Sequence, residues 1–103
     1  MKIFRGTTPT FIFTFKTVSP SDMDSAFLVV KQFGGKVKIS KDLSEATVQQ
    51  DSLEWTITQE ESLRLTAGKP AEIHCDWVAS DGTRGHSEFA LCDVIPGGKD
   101  EVI

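Results

Sequence analysis

The stretch from Ser52 to Leu65, SLEWTITQEESLRL, constrains this chain more than any other. Its first half alternates, with Leu53, Trp55 and Ile57 on one side and Glu54, Thr56 and Thr58 on the other. A period of two places successive side chains on opposite faces, so this is a strand with one buried side. Thr58 then stands three residues before Glu61. That is the spacing of a capping box, in which each side chain satisfies a backbone amide of the other residue. It predicts a short helix near residues 59–65, with the strand ending at Thr58. A reversal at Ala67-Gly68-Lys69-Pro70 follows. A strand that runs into a short capped helix and then turns back describes a crossover between the two sheets of a sandwich.

The rest of the chain bounds the class. At 103 residues, 39% of them hydrophobic and 25% charged, it forms one domain over residues 1–103 with a single core. The net charge is −4 with the basic residues scattered, which excludes a nucleic-acid footprint, because backbone binding needs concentrated positive charge. No apolar run approaches the roughly 18 residues that cross a bilayer, so no membrane partner is expected. The start, MKIFRGTTPTFIF, alternates polar with apolar and lacks the unbroken apolar segment of a signal peptide. Two cysteines, Cys75 and Cys92, make no disulfide framework.

Other segments support an all-β reading. Phe11, Phe13 and Phe15 share one face of a strand from Thr10 to Thr17, and Val18 to Ser25 reads as a loop. Ala26 to Phe33 and Lys36 to Lys41 form a hairpin closed by Gly34-Gly35. Pairing Phe33 with Lys36 sets Val30 against Ile39 and Lys31 against Lys38, and gathers Leu28, Val30, Val37 and Ile39 on one face. Phe27 and Val29 fall on the other face, next to the lysine pair. An apolar strip beside unpaired charge makes Phe27, Val29, Lys31 and Lys38 the interface candidates. Leu43 to Gln50 holds a weaker strand, and residues 96–103, rich in glycine and charge, read as a frayed tail.

The last hairpin, Ala71 to Ala79 and Arg84 to Ile95, admits two registers. A two-residue Asp81-Gly82 loop mixes apolar and charged residues on each face. A three-residue loop, Asp81-Gly82-Thr83, pairs Ser80 with Arg84 and places Ile73, Cys75, Trp77, Leu91, Phe89 and Ser87 inside, with Cys92 outside. The second is preferred, since a slip of one residue flips every side chain. It also sets His74, Asp76, His86 and Glu88 on one solvent face, with Asp76 opposite Glu88. Two imidazoles and two carboxylates are a weak zinc-type candidate set, lacking a pocket or supporting shell. No cofactor and no catalytic residue are expected. Trp55 and Trp77 raise an alternative, sugar stacking in a carbohydrate-binding module, but both fall on the inner faces.

The start Arg5-Gly6-Thr7-Thr8-Pro9-Thr10 before an aromatic strand, together with Thr56-Ile57-Thr58-Gln59-Glu60-Glu61-Ser62-Leu63 before a glycine turn, resembles small proteins of phages and prophages of Gram-positive bacteria. These are similar to the immunoglobulin-like β-sandwich domains of tail and baseplate proteins, including the amino-terminal domain of baseplate upper proteins. The resemblance implies an immunoglobulin-like antiparallel β-sandwich of about seven or eight strands with the one short helix. It further implies a non-enzymatic virion-associated role exercised through other virion proteins or a homo-oligomer, in the virion or in the host cytoplasm during assembly. The residues it carries over are structural: Arg5, Gly6 and Pro9 at the first turn, Thr58 and Glu61 at the cap.

Overall fold

Alternating segments become strands throughout the computed structural model, which describes residues 2–87 and 89–97. The strands are β1 (Lys2–Phe4), β2 (Thr10–Thr14), β3 (Met23–Gln32), β4 (Val37–Asp42), β5 (Thr47–Val48), β6 (Ser52–Thr56), β7 (Pro70–Ala79), β8 (Arg84–His86) and β9 (Ala90–Ile95), and the α-helix is α1 (Gln59–Leu63). One sheet runs β1-β9-β7-β3-β4, with β8 beside β7, and the other runs β2-β6-β5. Lettered as an immunoglobulin-type sandwich, β1, β9, β7, β3 and β4 are A′, G, F, C and C′, over β2, β6 and β5 as B, E and D. The antiparallel expectation fails at one place. β1 pairs with β9 in parallel, Ile3 opposite Val94, so the first strand joins the larger sheet. Of the expected frayed tail, residues 98–103 lie outside the described residues.

The two sheets bury one core between them: Ile3, Phe11, Leu28, Val30, Ile39, Leu53, Trp55, Ile57, Ile73 and Val94 are all within 2% of full burial. Trp55 reaches its polar partner by donating its indole N–H to the Asp42 carbonyl at 2.8 Å, and Phe13 packs edge-on to it at 5.9 Å. The central hairpin has the expected register, Val30 opposite Ile39 and Lys31 opposite Lys38. Asp42 and Glu45 form a second capping box, over residues 43–45, where a strand was expected. Only Thr47–Val48 remains as strand there.

The capped helix is where the small sheet crosses to the large one, and the segment after β1 locks it. Thr58 Oγ1 accepts the Glu61 amide at 3.1 Å and the Glu61 carboxylate accepts the Thr58 amide at 2.8 Å. Ser62, fully buried, accepts the Gly6 amide at 2.9 Å and donates to the Thr7 carbonyl at 2.8 Å. Arg5 donates to the Leu65 and Leu63 carbonyls at 2.7 and 2.8 Å, satisfying helix-end acceptors that no intrahelical amide reaches. Gly6 adopts φ +80° to make this approach, a conformation that costs glycine little. Beyond the helix, buried Gln32 holds the return segment, donating to the Thr66 and Lys69 carbonyls and accepting the Thr66 amide. Lys41 closes on Glu61 at 2.9 Å with both side chains mostly covered.

The final hairpin corrects the register chosen from sequence. The loop is Ser80-Asp81-Gly82, closed by the Ala79 amide donating to the Thr83 carbonyl at 2.8 Å, so Val78 faces Arg84 and Asp76 faces His86. Further down, Ile73 faces Ala90 and Ala71 faces Cys92. Three steps along β7, from Asp76 to Ile73, are therefore matched by four along the returning chain, from His86 to Ala90, a one-residue shift of the kind a bulge makes. Ser87 anchors it: its amide donates to the Cys75 carbonyl at 2.8 Å and its hydroxyl accepts the Cys75 amide at 2.9 Å. The slip turns Cys92 and Val94 inward and leaves Phe89 and Leu91 57% and 65% exposed, the reverse of the expectation.

Two outcomes test this account. Ser62→Ala strips partners from buried backbone groups and lowers unfolding free energy by about 1–3 kcal/mol, readable by urea denaturation. For Glu61, burial raises the carboxyl pKa, but the Thr58 amide and Lys41 outweigh it and hold the group below the usual glutamate range. Its contribution is therefore full above about pH 4.3 and is lost as pH falls through the lowered folded value. Glu61→Gln flattens that part of the acid limb of the stability profile.

Candidate functional site: the outer face of the large sheet

Every strand of the large sheet has one side turned from the core, and the register fixes what that side presents. Across β4, β3, β7 and β8 runs a row of Asp42, Phe27, Asp76 and His86. The next row is Ser40, Val29 and His74. The row after it is Lys38, Lys31, Glu72 and Leu91. Phe89 leans over the middle: its ring centroid is 4.6 Å from that of His74, edge to face, and 5.6 Å from Lys31 Nζ. Phe27 is 41% exposed, whereas Val29 and His74 are each only 7% exposed. Of the interface candidates, Phe27, Lys31 and Lys38 are therefore on the surface, and Val29 is a floor beneath them. The strip the sequence located at Phe27 continues through Phe89 and Leu91, which the preferred register had placed in the core. The alternative two-residue register carried that signal, because it moves position 91 to the outer side.

The zinc-type set does not assemble as expected. Asp76 faces His86, not Glu88, and Glu88 lies outside the described residues. His74 Nε2 is 3.4 Å from an Asp76 carboxylate oxygen. His86 Nδ1 is 3.1 Å from the Ser87 carbonyl, and the Phe89 ring stands beside both imidazoles. Among the described residues, no three His, Cys, Asp or Glu side chains come together as metal ligands. Trp55 is wholly buried, and Trp77 packs edge-on against Phe15 at 5.2 Å, so the two indoles form no joint sugar-stacking platform.

Both cysteines are buried and free. Cys75 lies four residues along β7 from Ala71, the partner of Cys92, about 13 Å by strand rise, beyond disulfide reach. Burial first, and the charge of Asp76 second, push the Cys75 thiol up to about 12, and burial raises Cys92 as well. Neither is a thiolate nucleophile at neutral pH. No helix among the described residues is long and apolar enough to cross a membrane.

No family model, curated protein or solved structure matches the chain significantly.

Two thiols buried in this way react slowly with a thiol reagent in the native protein. In denaturant both react at once, one equivalent per cysteine. Fast native labelling of Cys92 would contradict its inward orientation and with it the shifted register.

Proposed function

We propose that this chain is a non-enzymatic structural component of a phage or prophage particle, assembled in the host cytoplasm and working through protein contacts made by the outer face of its large sheet. The observation that carries the contact reading is the exposed strip of Phe27, Phe89 and Leu91, rimmed by Lys31, Lys38, Asp76 and Asp42. Exposed apolar side chains set among charged ones on a sheet face are the makeup of a protein interface.

The particle reading draws on the resemblance of the Arg5 to Thr10 turn and the Thr56 to Leu63 cap to tail and baseplate sandwich domains. Those two stretches meet in one junction here, through Gly6 and Ser62. There Ser62 bonds the backbone of the first turn and ties it to the crossover helix. The test is mass spectrometry of particles purified after induction of the strain that encodes the chain. The expected result is the chain at the abundance of a structural protein. Its absence from both particles and assembly intermediates overturns the virion role.

A further inference from the structure

The small sheet ends in an edge unlike the others. β2 pairs with β6 on one side, and no strand among the described residues flanks it on the other. The Pro9 carbonyl accepts the Ile57 amide at 3.1 Å, and the Phe15 amide donates to the Asp51 carbonyl at 2.8 Å. These bonds set the phase of the ladder, in which positions 9, 11, 13 and 15 bond to β6. The N–H and C=O groups of Thr10, Ile12 and Thr14 therefore point toward the open side. Such a row is a template for another strand, and proteins blunt it with charge, proline, bulges or brevity. The other edges are blunted in this way. β1 and β8 have three residues each and carry Lys2 and Arg84, and β5 has two. β4 carries Lys38 and Lys41, and its Asp42 amide and carbonyl are taken by Glu45 and Trp55. β2 is five residues, Thr-Phe-Ile-Phe-Thr, without charge, proline or bulge, and its Ile12 is 60% exposed.

We propose that this edge pairs with the same edge of a second copy, in an antiparallel two-fold dimer that joins the two small sheets into one. The sequence argues for a second copy, because Thr10 to Thr14 reads the same in both directions. A two-fold axis perpendicular to the sheet beside Ile12 sets Ile12 against the second copy's Ile12. It also sets Thr10 against Thr14 and Phe11 against Phe13, so every position meets its own kind. The open groups fall in phase: the threonine and isoleucine pairs are the hydrogen-bonded ones, each exchanging two backbone bonds. Threonine pairs and aromatic pairs across a ladder are favourable, and half-buried Phe13 gains a phenylalanine neighbour. A slip of one residue would set open groups against groups already bonded to β6, and Ile12 against phenylalanine. No ion pair contributes and the paired length is only about 17 Å, so the dimer is weak, reversible and indifferent to salt. This edge is a surface that the outer-face reading does not use, so the two fail separately.

The experiment is sedimentation velocity of the intact chain over a concentration series, at low salt and at about 1 M salt, where exposed charges are screened. Amide hydrogen exchange accompanies it. The expected result is a reversible dimer unaffected by salt. The Ile12 and Thr14 amides exchange more slowly as concentration rises, while those of Phe11 and Phe13, bonded to β6 in either state, do not change. Ile12→Lys sets two lysines face to face at the axis and raises the dimer dissociation constant about tenfold. Ile12→Cys places two thiols on Cα atoms about 5.5 Å apart, within disulfide reach, and links the copies on air oxidation; both native cysteines are buried. Thr10→Cys, about 14 Å along the ladder from its own counterpart, links when mixed with Thr14→Cys and not by itself. A wild-type monomer throughout the series overturns the proposal. So does a dimer that survives Ile12→Lys, one lost with Phe27→Lys instead, or Thr10→Cys linking to itself as readily as Ile12→Cys does.

Discussion

The sandwich depends on one buried hydroxyl. Ser62 lies where the chain leaves the small sheet for the large one between β6 and β7, and its oxygen serves the Gly6 amide and the Thr7 and Gln59 carbonyls together. A helix of one or two turns is too short to be stable alone, since the cost of nucleating it outweighs the few bonds it gains. Tertiary contacts must hold it. They come from the turn after β1, with Arg5 on the last carbonyls of the helix and Ser62 on the turn's backbone. The first and middle thirds of the sequence are thereby joined.

That junction also explains why β1 belongs to the large sheet. With Arg5 pinned to the carbonyls of Leu63 and Leu65, the preceding residues lie beside β9 and pair with it. The Arg5 amide then donates to the Ile95 carbonyl, and the Gly68 amide to that of Val94. Gln32 repeats the device on the other side of the helix, a buried amide holding a loop through three bonds to backbone. Buried polar groups cost free energy when unpaired and specify one arrangement when fully paired. Ser62 and Gln32 are of the second kind.

The extent to which the fold was legible follows from which interactions are local. The Thr58 and Glu61 cap, the β3–β4 register and the buried side of Leu53, Trp55 and Ile57 depend on neighbours in sequence, and each was readable from spacing. The tail end of the last hairpin was not. Sorting faces by hydrophobicity favours hiding Phe89 and Leu91, yet Ser87 bonds both backbone groups of Cys75 and inserts a bulge, and the smaller Cys92 and Val94 turn inward instead. A bulge is set by partners on another strand, which periodicity within one strand does not reveal. The same slip concealed half of the candidate site: Phe27 and the lysines were visible from alternation, and Phe89 and Leu91 became part of that face only through the shifted ladder.

The parallel pairing of β1 with β9 has a mechanical consequence. Tension applied at the start of β1 and the end of β9 pulls these two neighbouring strands lengthwise past one another, because their pairing runs from Lys2 with Asp93 to Phe4 with Ile95 in the same direction. Their hydrogen bonds, with the added Arg5 to Ile95 bond, then carry load together and must rupture at once, where a hairpin pulled from its open end would peel apart one bond at a time. A sandwich closed in this way resists stretching along its chain.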